Sequence, residues 1–310
     1  MGILEGKVVW VTGGGNGIGK DCALIAAKEG AKVVVNDLGG GFKGDSGDTG
    51  SASPAELVAQ EIRAGGGKAI SNSDSVTDFK AIEALRDQTL KEFGGLHGVI
   101  NPAGILRDAM FHKMTEFDWD KVIDVHLRGS FNVCRATIEH FREQQDGSYA
   151  LFTSTSGLIG NIGQSNYAAA KLGIMGLSRV VAMEGAKYNV RSNIIAPVAW
   201  TRMTQSVPIR DEAQAKRREQ MAQMIRPDQP AKLAVALVSD LAKEVSGQIF
   251  GARGDTIELY SQPRAIMNLN KDGGWTPEGI ATECFGQMKE KFFPTSRSAG
   301  TPQPEAQKAS

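Results

Sequence analysis

The stretch "KVVWVTGGGNGIGKDCALIAAKEGAKVVVND", Lys7–Asp37, constrains the fold more than any other. An apolar, β-branched run passes directly into a glycine-rich turn. A helical pattern follows, closed by Gly30, and then a second β-branched run that ends at Asp37. Strands this apolar must be covered on both faces, which is the condition of a parallel sheet rather than of a half-exposed hairpin. A strand, a helix and a second strand of this kind make a βαβ unit.

The rest of the chain repeats the alternation. In "SPAELVAQEIRAGGG", Ser53 caps a helix, Pro54 suits its first turn and Glu56 completes a capping box. "HGVINPAG" and "YALFTSTSG" read as further strands, separated by a long helix around Asp118–Gln144 that opens at Thr115. "SNYAAAKLGIMGLSRVVAMEGA" reads as a helix, "VRSNIIAP" as a strand, and "QIFGARGDTIELY" comes last. The expected fold is α/β: a single Rossmann-type, doubly wound parallel sheet with helices on both faces. This domain is expected over residues 1–260. Residues 261–293 are too apolar for a tail, and Thr276-Pro277-Glu278 looks like a capped helix start. They are expected to form a C-terminal extension packed on the core or across a subunit boundary. Residues 294–310 are polar and rich in Pro, Ser and Ala, the composition of a disordered tail.

Lys plus Arg and Asp plus Glu are equal at 35 each, so net charge offers nothing to nucleic acid or an anionic membrane. Cys22, Cys134 and Cys284 form no CxxC pair, and the four histidines show no HExxH spacing, so neither a disulfide framework nor a metal site is expected. No apolar run reaches the roughly 18–20 residues of a membrane span. A cytoplasmic protein is the expectation.

Gly13, Gly17 and Gly19 in "TGGGNGIG" permit a tight turn, close approach of a pyrophosphate and close helix packing. The helix that follows presents free N–H groups and a partial positive charge to phosphates. Asp37 ends the second strand, where a carboxylate accepts hydrogen bonds from a ribose 2′-hydroxyl and repels a 2′-phosphate; Leu38 offers no compensating cation. That pattern points to NAD rather than NADP. The competing reading is a strand-end turn aspartate.

Tyr167 and Lys171 are four apart in a helical pattern and share a face. Ser154 ends a strand thirteen residues earlier. With "TGGGNGIG", "NPAG", "YAAAK" and "NIIAP", this set resembles the classical short-chain dehydrogenase/reductase family over roughly Leu4–Tyr260. The resemblance implies a dimer or tetramer that transfers hydride between NAD(P) and an alcohol or ketone. In that chemistry Tyr167 is the base, Lys171 lowers its pKa and holds the nicotinamide ribose, and Ser154 fixes the substrate oxygen. It implies cofactor contacts at Gly13, Asn16, Gly17, Ile18, Gly19, Asp37, Ser75, Val76, Asn101, Ala103, Gly104, Tyr167, Lys171, Pro197, Ala199, Trp200 and Thr201.

Three positions depart from the family pattern. Pro102 stands in "NPAG" where a second asparagine is usual, and Val198 stands where Pro-Gly is common. His126 occupies the mid-helix asparagine position; it is either a proton relay or a core histidine satisfied by backbone.

"NDLGGGFKG", "GILRD", "VHLRGSF", "GNIGQSNYAAAKLG" and "IAPVAWTRMT" are similar to one branch of the family, the dehydrogenase parts of peroxisomal multifunctional type 2 enzymes. That branch oxidises (R)-3-hydroxyacyl-CoA with NAD, and some relatives accept steroids. The chain ends in "KAS" at Ser310, so a stand-alone enzyme with a separate hydratase is expected. Trp200 stands where the branch has glycine and would reshape the pocket. Residues 201–226 would be the substrate lid, with Arg210, Lys216, Arg217, Arg218 and Arg226 for CoA phosphates and Met203, Met221 and Met224 for an acyl chain. The bland alternative is a solvated helix face. The acidic, small-residue loop Asp45–Ser51 is expected to be mobile near the adenine end. Two further readings stand beside the leading one: a hydroxysteroid dehydrogenase acting on a ring alcohol, and an idle NAD-binding sensor or scaffold. The intact Ser154, Tyr167 and Lys171 argue against the last.

Overall fold

The computed structural model describes residues 2–41, 53–198 and 228–293. Expectations for the loop 42–52, for the lid with Ala199, Trp200 and Thr201, and for the tail fall outside these residues. The strands are β1 (Val8–Thr12), β2 (Lys32–Asn36), β3 (Lys68–Asn72), β4 (Gly98–Asn101), β5 (Gly147–Phe152), β6 (Val190–Val198), β7 (Ile249–Arg253) and β8 (Thr256–Leu259). They form one sheet in the order β3-β2-β1-β4-β5-β6-β7-β8. All neighbours are parallel except β7 and β8.

Period-two alternation sends side chains of each central strand to two separate cores. From β1, Val9 and Val11 join Val33 and Val35 on one face. Val8 and Trp10 join Val34, Val99, Tyr149 and Leu151 on the other. The first face is covered by α1 (Gly17–Lys28), α2 (Pro54–Ala64) and α8 (Asp228–Leu237). The second is covered by α3 (Phe79–Phe93), α5 (Gly129–Gln144) and α7 (Ser165–Gly185). This is the doubly wound architecture. Strand order reverses between β1 and β4, and the crevice at the carboxyl ends of those strands is where such sheets bind ligands.

Local chemistry explains the element ends. Ser53 Oγ accepts from Glu56 N (3.2 Å) and caps α2. Glu56 does not return the bond to complete the box. Its carboxylate accepts from Ser71 Oγ (2.6 Å) and Gln60 Nε2 (2.9 Å) and pairs with Arg63 instead. Thr115 Oγ1 accepts from Asp118 N (3.1 Å) and opens α4 (Glu116–Ile123). The long helix expected to follow is one continuous path to Gln144, but Asp124–Arg128 form a π-helical turn inside it. β3 and α3 are absent from the sequence reading. β3 is an edge strand with only Ala69 buried, so it lacks an apolar alternation. "QIFGARGDTIELY" holds two strands, β7 and β8, joined through Gly254 at φ 51°.

Contacts divide the chain after Tyr260. In the second unit Thr276 Oγ1 accepts from Gly279 N (3.1 Å) and starts a short helix. Lys271 pairs with Glu283 (2.8 Å). No helix among the described residues is long and apolar enough to cross a membrane.

Candidate active site

The ends of β1 to β6 converge on a cavity of about 340 Å³. Its first wall is the turn from β1 into α1. Gly13 and Gly17 take φ values of 56° and 52°, which side chains other than glycine's rarely adopt. A Cβ on Gly19 would stand 2.0 Å from the Gly13 carbonyl oxygen, and one on Gly13 would stand 2.9 Å from Ala103 Cα. The turn therefore has its glycines where backbone meets backbone. Asn16 precedes α1 without capping it through its side chain, and the first turn carries no acidic residue. The first N–H groups of α1 are left for an anion. Asn16, Gly17, Ile18 and Gly19 all line the cavity.

Asp37 lines the same cavity, with both oxygens engaged: Oδ2 accepts from Gly15 N (2.9 Å) and Oδ1 from Gly39 N (2.8 Å). Each carboxylate oxygen keeps a second lone pair, so a ribose hydroxyl still has an acceptor. The two sequence readings of Asp37 therefore describe one residue: a turn-former with spare acceptor capacity. Ser75 and Val76, after β3, also line the cavity, with Asp74 and Thr77, which sequence reasoning missed. The β3 strand that delivers them was itself missed.

Beyond β4, Pro102, Ala103 and Gly104 face the cavity, whereas Asn101 does not. Asn101 is buried; its Oδ1 accepts from Thr12 Oγ1, and its Nδ2 donates to Ser130 Oγ (2.9 Å). It ties β1 and α5 together behind the wall. Pro197 of β6 lines the cavity.

The reactive end gathers Tyr167, Lys171 and His126 on this wall. Helical spacing on α7 puts the Lys171 ammonium 5.5 Å from the Tyr167 ring centre. His126, on the π-helical turn, meets Tyr167 edge-on at 5.1 Å. Ser154 does not line the cavity. It caps the turn α6 (Thr155–Leu158), with Oγ accepting from Ser156 N (3.1 Å).

His126 is 2% exposed. Its Nε2 lies 3.1 Å from Ile105 N and 2.8 Å from Ile105 O. Its Nδ1 has no hydrogen-bond partner among the described residues. A Cβ on Gly104 would stand 2.1 Å from His126 Cε1. The glycine of "NPAG" is thus the space into which His126 fits.

Burial dominates the electrostatics. It raises the Tyr167 pKa to about 12, with Asp108 acting in the same direction and the Ser154 hydroxyl opposing. It lowers Lys171 to about 7. It also takes His126 well below an ordinary histidine, helped by Lys171 and opposed by the Ile105 backbone. The sequence expectation was an ammonium that lowers the tyrosine. In this fold Lys171 Nζ donates to the Phe152 carbonyl (2.8 Å), and both groups sit in a medium that favours their neutral forms. Tyr167 is therefore a phenol at neutral pH.

Residues 7–212 match the family model for short chain dehydrogenases, and the chain belongs to that family. It is an oxidoreductase of the short-chain dehydrogenase/reductase type. Over 72% of its length it is 47% identical to the mouse peroxisomal multifunctional enzyme type 2, of which it spans 29%. Over 93% of its length it is 34% identical to a hydroxyacyl-CoA dehydrogenase of Mycobacterium tuberculosis, covering 89% of that protein. A solved 7α-hydroxysteroid dehydrogenase, complexed with NADH and 7-oxo glycochenodeoxycholic acid, superposes with a TM-score of 0.72. It is 29% identical, over 81% of this chain and 94% of that one.

Proposed function

We propose that the protein is an NAD-dependent dehydrogenase that oxidises (R)-3-hydroxyacyl-CoA to 3-oxoacyl-CoA. The observation that carries this reading is the single cavity shared by the glycine turn, Asp37, Tyr167, Lys171 and His126. NAD fits the residues present: the uncapped start of α1 suits the pyrophosphate, and Asp37 disfavours a 2′-phosphate. When bound, NAD supplies the hydride acceptor. In its phenolate form Tyr167 takes the proton of the substrate hydroxyl, and as the phenol it returns one in reduction; Ser154 orients that oxygen, and Lys171 holds ribose hydroxyls. His126 passes the proton onward through Nδ1; its support is that this buried atom has no partner among the described residues. Because burial favours the phenol, oxidation should gain as pH rises and reduction as pH falls.

The acyl-CoA substrate rests on the hydroxyacyl-CoA dehydrogenase relative and the mouse multifunctional enzyme. The likeness to a hydroxysteroid dehydrogenase supports a second reading, oxidation of a steroid alcohol. NADH formation with R and S 3-hydroxyacyl-CoA and a hydroxysteroid, run in parallel, separates the two. Turnover of the R thioester alone is expected. Activity only on the steroid, or only on the S isomer, would overturn the proposal.

A further inference from the structure

The end of β5 holds Lys171 at two points. The ammonium of Lys171 donates to the Phe152 carbonyl (2.8 Å), and its own backbone carbonyl accepts from Thr153 Oγ1 (2.7 Å). Phe152 and Thr153 are consecutive, so one short piece of chain grips the lysine by its tip and by its root. The grip has a fixed base, because Thr153 N donates to Ile195 O (2.8 Å) and ties it to β6. Close packing seats the same lysine from the turn that follows. A Cβ on Gly157 would stand 2.9 Å from both Lys171 Cβ and Leu172 N, so α6 lies directly against α7 there. Thr153 is 1% exposed and Lys171 3%, which shelters both bonds from water.

The Thr153 bond is not needed to complete the helix. Lys171 lies inside α7, where its carbonyl is already served by the N–H four residues on. A carbonyl oxygen has a second lone pair, and the threonine hydroxyl takes it. What the extra bond fixes is position: where α7 stands against β5 at the residue whose ammonium faces the cavity. A lysine stem is long and flexible, and a bond at the tip alone leaves it several paths. Fixing the root as well narrows where the ammonium can stand. The bond to Phe152 leaves further N–H donors on Nζ for the hydroxyls of a ribose. Thr153 lines the cavity with Phe152, Tyr167 and Lys171, but its one hydroxyl proton is committed to the helix.

We propose that Thr153 is a positioning residue for the cofactor: by fixing the Lys171 carbonyl it sets the place from which the Lys171 ammonium meets the ribose of NAD. This rests on the reading that Lys171 holds that ribose. Thr153 acts through Lys171 and not by contact of its hydroxyl with NAD.

The test is a cycle of NAD dissociation constants, measured by titration calorimetry without substrate, for the native protein, Thr153→Val, Lys171→Met and the double variant. Valine keeps the shape of threonine and removes the hydroxyl. Thr153→Val should weaken NAD binding about threefold to tenfold, the effect of one lost hydrogen bond. Thr153→Ser, which restores the hydroxyl, should recover most of that loss. In the Lys171→Met background, Thr153→Val should add less than about twofold, because the group it positions is gone. Binding unmoved by Thr153→Val would overturn the proposal. Equal weakening in both backgrounds would overturn it too, since Thr153 would then act on NAD directly or through the fold at large. Thr153→Ala gives the same comparison if the valine variant does not fold. If Lys171→Met binds NAD as tightly as the native protein, the role of Lys171 itself fails and the proposal falls with it; in the other failures Lys171→Met still binds weakly, so the two are told apart. With no alcohol present, the choice between thioester and steroid does not enter.

Discussion

Replacing Lys171 by methionine tests whether burial controls this site. Lys171 is 3% exposed, its ammonium donates to the Phe152 carbonyl (2.8 Å), and burial lowers its pKa from 10.5 to about 7. The sign follows from where the proton resides. Below about pH 7 both the folded and the unfolded chain hold it, and the folded state bears the full cost of a buried cation. Between about 7 and 10.5 the unfolded chain keeps a proton that the folded chain has released, so stability rises with pH. The slope is at most about 1.4 kcal/mol per pH unit, and the whole window is worth on the order of 3–5 kcal/mol. Methionine keeps the apolar stem, removes the charge and gives up one hydrogen bond, which offsets about 1–3 kcal/mol. Lys171→Met should therefore equal or exceed the native protein in stability near pH 6.5 and lose that advantage by about pH 9.5. Tyr167 acts with the opposite sign, because its raised pKa withdraws stability only above pH 10. Urea unfolding of both proteins at several pH values gives the difference directly. A difference that stays flat between these limits would refute the argument that a buried ammonium is held here at a cost.

Gly104→Ala should destabilise the fold by about 1–3 kcal/mol, because the added methyl meets the buried His126 ring. Combining it with His126→Ala should recover part of that loss; strict additivity in urea unfolding would show that the two sites are independent. Asp37→Ala should weaken NAD binding and reduce its preference over NADP by roughly tenfold, since like-charge repulsion of the 2′-phosphate is removed. Equal weakening of both cofactors in a binding titration would mean that Asp37 acts only through its bonds to Gly15 and Gly39.

The sequence determined whatever local chemistry controls. The doubly apolar β1 and β2, the glycine turn, the Ser53 and Thr115 caps and the Tyr167–Lys171 spacing all depend on near neighbours in the chain. The same reasoning missed β3 and α3, whose partial exposure leaves a weak apolar pattern. It also closed a capping box that Glu56 leaves open, because Ser71 on a neighbouring strand competes for the carboxylate. Only the tertiary structure decided which way the motif residues turn. Asn101 faces inward to Thr12 and Ser130, Ser154 stands off the cavity wall, and Gly104 makes room for a histidine 22 residues further on. It also decided the charge state of the site. Lys171 and Tyr167 carry ordinary pKa values as sequence, but burial moves both toward neutrality, because desolvation depends on everything that packs around them.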